Sequence, residues 1–261
     1  MTILEALISG IVQGLTEFLP VSSSGHLVLL SKIFGETENA LLFDVALHAG
    51  TLLALVIYFY KDLWELMKAL VVRSEKTRAA WLLALATLPA VVSGFLLQDY
   101  AEDTFRSIVL VGCNLILVGV LMMVAERVAT QKTTAIEKVN WKQALIVGGA
   151  QALAVIPGMS RSGSTITAGL FAGLNRVTAT RFSFLLGVPI IFGALLKVLM
   201  DGGGGAVRDE AGLFAIGILA AFLSGMFAIK FMLSYLSRHS IKIFAYYRIG
   251  LGIIVLLIAF L

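Results

Sequence analysis

The sequence predicts an all-α polytopic membrane protein. It reads as a single membrane domain over residues 1–261, with six transmembrane helices plus two re-entrant helical hairpins in an inverted-topology repeat. Three observations predict it. The 261 residues are 59% hydrophobic and 14% charged, with a mean hydropathy of +0.96, which excludes a soluble globular domain. Six segments are long and apolar enough to cross a bilayer. Two further stretches, Gln13 to His26 and Gln151 to Gly163, set polar, charged and turn-forming residues inside apolar sequence, and they match one another.

In chain order, an apolar segment near 2–19 meets a Pro/Ser/Gly break and continues as 23–35, followed by spans near 44–60, 79–97 and 107–126. The pattern then repeats. A segment near 141–156 breaks and continues as 162–174, before spans near 181–200, 212–236 and 241–261. A span needs about 20 residues, whereas 23–35 and 162–174 would each reach only roughly 20 Å at ~1.5 Å per residue. Two hairpins with their tips inside the membrane account for this; two kinked ordinary spans are the plainer alternative.

Gln13 and Gln151, Ser22 and Ser160, Ser24 and Ser162, Gly25 and Gly163, and Gly35 and Gly173 all stand 138 positions apart, while Pro20 and Pro157 match after a one-residue gap. The repeat halves are therefore about 1–130 and 139–261. Each half is one hairpin followed by three spans, so the odd number of crossings inserts the second half upside down. Basic residues set the orientation. Lys61, Lys68, Arg73, Lys76 and Arg78 fall in the 61–80 loop, Arg127, Lys132, Lys138 and Lys142 in the next, and Arg176, Arg181, Arg238 and Lys242 before later spans. The opposite connections are poor in positive charge: 98–106 sets Asp99, Glu102 and Asp103 against Arg106, and 201–211, with its Gly-rich 202–205 turn, has only Arg208. The basic loops are expected in the cytoplasm and both termini outside. The net charge of +4 follows from this topology and gives no reason to expect nucleic acid as a partner. Glu5 and Glu17 in a segment without a basic start argue against a cleaved signal peptide. Cys113, the only cysteine, cannot form an internal disulfide and is expected as a small core residue.

In each hairpin a helix starts directly after the break, which places Ser22, Ser23 and Ser24, and Ser160 and Ser162, at N-cap or first-turn positions. Free N–H groups and the positive helix end make such a terminus an anion site. Arg161 between two serines suits a phosphate, because its planar fork donates bidentately and stays charged when buried. The bland reading is that the serines only cap helices and Arg161 pairs with Glu17. Gln13 and Glu17 share a helix face. A carboxylate beside a phosphate calls for a bridging cation or a proton, and oxygen ligands from protein and phosphate suit Mg²⁺ or Ca²⁺. His26, one turn past the serines, can act as general base or acid. Asp44 and His48 either line an entrance or form an interfacial polar pair. Arg248 is either an interior charge or a snorkelling one.

These motifs closely resemble those of the bacterial undecaprenyl-pyrophosphate phosphatases, the bacitracin-resistance family of integral membrane lipid phosphatases. The family's (Glu/Gln)-x-x-x-Glu motif falls on Gln13 and Glu17, its Pro-Val-Ser-Ser-Ser-Gly-His on 20–26 and its Pro-Gly-x-Ser-Arg-Ser-Gly-x-Thr on 157–165. The resemblance covers essentially the whole chain. It implies a hydrolase of the bacterial inner (plasma) membrane that removes the terminal phosphate of a C55 isoprenoid diphosphate, regenerating the monophosphate carrier used in cell-wall synthesis. By motif position the nucleophile falls on Ser23 with His26 assisting, Glu17 belongs to the metal or acid/base group, and Ser160, Arg161, Ser162 and Thr165 to the phosphate loop. Gln13 takes the amide option, which leaves one carboxylate at this motif. Acid-phosphatase-like lipid phosphatases match poorly, since Thr167 stands where their histidine would.

Two functions follow as expectations. One is a Mg²⁺- or Ca²⁺-dependent polyprenyl diphosphate phosphatase opening to the outer side, with Ser22, Ser23 and Ser24 at the phosphate and either Ser23 or a His26-activated water attacking. The other is a polyprenyl-phosphate flippase, an architecture that inverted repeats also serve. Partners are the isoprenoid diphosphate, membrane lipids and a second copy in a homodimer. A scaffold does not explain charges at both tips.

Overall fold

Hydrophobic length, capping residues and helix breakers set the element pattern. In the computed structural model the described residues are 1–35, 40–103, 107–200, 207 and 210–260, with backbone only for 40–41 and 97–103. Among them are eleven α-helices and no strand beyond one isolated bridge, Thr133 to Leu174. The helices are α1 Ile3–Phe18, α2 Ser23–Phe34, α3 Ala40–Tyr58, α4 Tyr60–Val71, α5 Thr77–Asp103 and α6 Ile108–Val128, followed by α7 Trp141–Leu153, α8 Arg161–Phe171, α9 Arg176–Met200, α10 Ala211–Leu236 and α11 Lys242–Phe260. The 202–205 turn, Arg106 and Arg208 lie outside the described residues.

Five helices are long and apolar enough to cross a membrane, α5 through Leu96, α6, α9, α10 and α11, and the bent pair 42–58 with 60–71 makes a sixth. The chain is a multi-pass membrane protein. The expectation that 61–80 is a loop is corrected here. After Phe59 the chain turns by 80° into α4, an amphipathic helix that buries Leu66 and Ala69 and exposes Tyr60, Trp64, Met67 and Val71. Its lysines and acids mask that apolar stripe in a hydropathy reading, although the i, i+3, i+4 spacing is present. Cys113 is also corrected: it lies exposed on α6, on a side of the helix turned away from the core.

Local chemistry starts the helices. Thr2 and Glu5 form a capping box on α1, and Asn140 and Gln143 another on α7. Ser22 and Ser160 cap α2 and α8 with left-handed backbones, φ 77° and 65°, each hydroxyl accepting the N–H three residues on. Gly35 and Gly173, which end these elements, share φ near +90° (91° and 87°). Positions matched at the 138-residue offset thus have the same local geometry.

α1 lies along α10 and α7 along α5, while α3 packs on α9 and α10, and α6 on α11. A Cβ at Gly14 would overlap Ala221 O, so only glycine lets α1 approach α10 this closely. Both ends of the α1–α2 hairpin lie at one end of the bundle, where Ala6, Leu30, Phe43, Leu47 and Phe214 pack together. Both ends of the α7–α8 hairpin lie at the other, where Gln143 Nε2 donates to Ala172 O at 2.9 Å. The basic residues gather at this second end: Arg176 pairs with Glu126, and Arg181 with Asp62 at 2.9 Å. Exposed Tyr60, Trp64, Trp81 and Trp141 ring the same end, as aromatic residues do at a membrane interface. Between the ends, Phe18, Phe184 and Phe59 stack edge to face, with centroids 5.3 and 6.4 Å apart and none more than 2% exposed.

Candidate active site

The two helix breaks meet at the bundle centre. Gly158 N donates to Ser24 Oγ at 3.5 Å, and Ser162 Oγ to Leu19 O at 3.2 Å. Arg248 ties both, though it comes from the distant α11 and is fully buried. Its guanidinium donates to Pro20 O (3.3 Å) on the first break, to Gly158 O (2.7 Å) and Met159 O (3.3 Å) on the second, and to Asn114 O and Leu115 O (each 3.3 Å) on α6. Arg248 is therefore interior, not snorkelling, and carbonyls take the place of an acid partner. Asn114 Nδ2 adds a bond to Pro157 O at 2.8 Å.

Glu17, 6% exposed, is the hub. Its Oε1 accepts from Arg161 Nη2 at 2.8 Å; its Oε2 accepts from Ser23 Oγ at 2.8 Å and from Gln13 Nε2 at 3.1 Å. His48 Nε2 stands 3.6 Å from the same Oε2. A buried carboxylate is tolerable at this depth only with such partners, and breaking a buried pair costs about 3–5 kcal/mol. Arg161 Nη1 also donates to Ser183 O at 3.0 Å, and a Cβ at Gly187 would collide with the guanidinium. Glycine there makes room for the arginine. Thr165 Oγ1 donates to Arg161 O and meets Ser183 Oγ at 2.6 Å, bracing the arginine from behind.

Sequence reasoning placed Gln13, Glu17, Ser23 and Arg161 together, and they are together. Ser23 and Ser24 are reachable, whereas Ser22, Ser160, Ser162 and Thr165 are buried and occupied by capping and bracing bonds. His26 is not joined to Ser23. Its Nδ1 faces Ser22 O at 2.7 Å, and a carbonyl can only accept, so Nδ1 carries the proton. Nε2 then accepts from Tyr247 Oη at 2.7 Å, with the two rings parallel within 3°. Tyr247, Ser183 and Asn114 were not foreseen. Asn114 and Arg248 had a signal, being polar residues within apolar spans; Tyr247 and Ser183 had none.

For a cation, the residues fit in part. Gln13 must turn its amide nitrogen to the Glu17 carboxylate, which leaves Gln13 Oε1, fully buried, without a hydrogen-bond partner. An orphaned oxygen beside a carboxylate suits a hard divalent ion that takes its remaining ligands from phosphate and water. Among the described residues there is no group of three His, Cys, Asp or Glu side chains able to hold a metal by itself. Elsewhere, Asp62, Lys76, Thr134, Glu137, Thr178 and Arg181 line a polar cavity of about 240 Å³ at the basic end.

The sequence pattern of the family described as bacitracin resistance protein BacA matches residues 6–254. The chain is 44% identical over 259 residues to an undecaprenyl-diphosphatase of Desulforudis audaxviator, with 98% of each chain covered. It is 45% identical over 264 residues to one of Moorella thermoacetica, covering 100% of this chain and 99% of that one. A third, from Gemmatimonas aurantiaca, is 43% identical over 264 residues, with 98% and 97% covered.

Proposed function

The chain belongs to the bacitracin resistance protein BacA family, and from that premise we propose that it hydrolyses undecaprenyl diphosphate, a C55 isoprenoid lipid, to the monophosphate and inorganic phosphate. The observation that carries this is the hydrogen bond from Ser23 to Glu17 beside Arg161, at two converging helix N-termini. The N-termini and Arg161 hold the terminal phosphate and stabilise charge developing on it. Ser23 Oγ attacks phosphorus while Glu17 takes the hydroxyl proton, and the bond to the lipid monophosphate breaks. Glu17 gives that proton to the departing lipid monophosphate. It then accepts one from water as water attacks the phosphoserine, and returns it to Ser23 as inorganic phosphate leaves. Attack by a His26-activated water instead would require Tyr247 to release Nε2 first. Glu17 and Gln13 would hold a divalent cation together with the substrate, and that ion would neutralise phosphate charge.

The α1–α2 and α7–α8 hairpins are re-entrant in this reading, and the two halves form an inverted-topology repeat. The matched cap geometry, the opposite bundle ends at which the hairpins open, and their meeting tips support it. The basic end faces the cytoplasm of a bacterial inner membrane, both termini lie outside, and the site opens outward beside His48 and Tyr247. Its aromatic ring and clustered Lys and Arg support that orientation. A second reading, a polyprenyl-phosphate flippase, draws on the polar cavity at the basic end, across the phenylalanines from the site. Phosphate release from the C55 diphosphate by purified protein, with and without chelator, tests hydrolysis; lipid movement across vesicles without phosphate release would favour the flippase.

A further inference from the structure

His48 Nε2 and Glu17 Oε2 lie side by side in the hub, and the oxygen of the neighbouring Gln13 amide has no partner. His48 Nδ1 lies 2.9 Å from Asp44 O, so Nδ1 carries a proton, and the neutral tautomer that makes this bond has its lone pair on Nε2. At 3.6 Å from Glu17 Oε2, that nitrogen is too far for a hydrogen bond. That separation is a few tenths of an ångström wider than two ligands of one ion, which at ~2.0–2.1 Å bond lengths stand roughly 3.0–3.4 Å apart, and a small rotation of either side chain closes the gap. The orphaned Gln13 Oε1 belongs to the same cluster, since its amide nitrogen donates to that carboxylate oxygen. The groups around His48 come from several elements: Asp44 from α3 itself, Glu17 from α1 and, behind it, Arg161 from α8. Arg181 of α9 is engaged with Asp62 of α4.

Resting on the reading of a cation site at Glu17 and Gln13, we propose that His48 is its third protein ligand. The resulting nitrogen–oxygen site prefers a first-row transition ion such as Mn²⁺ over Ca²⁺ and Mg²⁺. The two oxygens alone suit hard cations, and an imidazole shifts the balance toward transition metals. The substrate's phosphate oxygens complete the shell. A single carboxylate with one imidazole gives a site that fills with substrate, which agrees with the lack of a stand-alone metal cluster among the described residues.

The test uses full-length protein in nanodiscs, Mn²⁺ as probe and inorganic phosphate in the substrate position. Electron spin-echo envelope modulation should detect one imidazole ¹⁴N on bound Mn²⁺. His48→Gln should abolish that signal and weaken Mn²⁺ binding by about tenfold or more, while changing Ca²⁺ binding little. Glu17→Ala should remove the bound Mn²⁺, which locates it. Binding that depends on Glu17 but lacks ¹⁴N modulation overturns His48 as a ligand and leaves the cation site standing. No Glu17-dependent binding, with hydrolysis continuing in chelator, overturns the cation site and the inference with it.

Discussion

Ser23 Oγ donates to Glu17 Oε2 at 2.8 Å, joining the start of α2 to the end of α1 across the helix break. A hydroxyl proton already aimed at a carboxylate is one shift from a nucleophile. Ser23→Ala and Glu17→Gln should therefore each lower kcat by about 100-fold or more, with the double variant little worse, as groups acting in one unit behave. Steady-state kinetics check this. If Ser23→Ala keeps more than about a tenth of kcat, a deficit below ~1.4 kcal/mol, serine attack is wrong.

Tyr247 and His26 form their own pair at the mouth. Losing one neutral hydrogen bond costs about 0.5–1.5 kcal/mol, so Tyr247→Phe should lower kcat/KM by roughly tenfold at most. In a His26→Gln background the same change should do much less. Full additivity across this double-mutant cycle would show that the hydrogen bond is idle.

Arg161 grips Glu17 with one nitrogen and Ser183 O with the other. Lysine keeps the charge but cannot make both bonds and still offer donors to phosphate. Arg161→Lys should stay folded and lose about 10- to 100-fold in kcat/KM, the worth of a buried charged hydrogen bond. Near-normal kcat/KM would remove Arg161 from the phosphate site.

Arg248 is a matter of assembly. Arg248→Met should strand the carbonyls of Pro20, Gly158 and Met159, at about 1–3 kcal/mol each. The thermal midpoint in detergent should fall by on the order of 10 °C or more, and less for Arg248→Lys. An unchanged midpoint would mean the two breaks hold together without it.

With Cys113 replaced by serine, a cysteine at Arg73 should react from outside intact cells only with a membrane-permeant thiol reagent. One at Glu5 should also react with an impermeant reagent. The reverse pattern would invert the orientation.

The helices of the bundle were legible because bilayer thickness demands long apolar runs, and the breaks because prolines, glycines and serines interrupt them at matched places. On sequence alone the partnership of Glu17 with Arg161 is the bland alternative, yet it is part of the site's geometry. What sequence could not supply is long-range aim. His26 looked like the partner of Ser23, but a tyrosine 221 residues away takes its free nitrogen. Arg248 carried a signal as a charge in an apolar span, but nothing in a one-dimensional pattern says that it faces five carbonyls. The α4 helix was hidden because its polar residues dilute a stripe that becomes visible only once α3 bends.

The edge-to-face trio of Phe18, Phe184 and Phe59 lies between the carboxylate hub and the polar cavity at the basic end. An enzyme that admits water halfway through an energised bilayer would short-circuit the proton gradient if its two polar compartments joined. In the proposed orientation, three phenylalanine rings, which carry no atom able to pass a proton along, would stand between the two as insulation. A reaction centre held inside the membrane in that way would leave the voltage across it undrained.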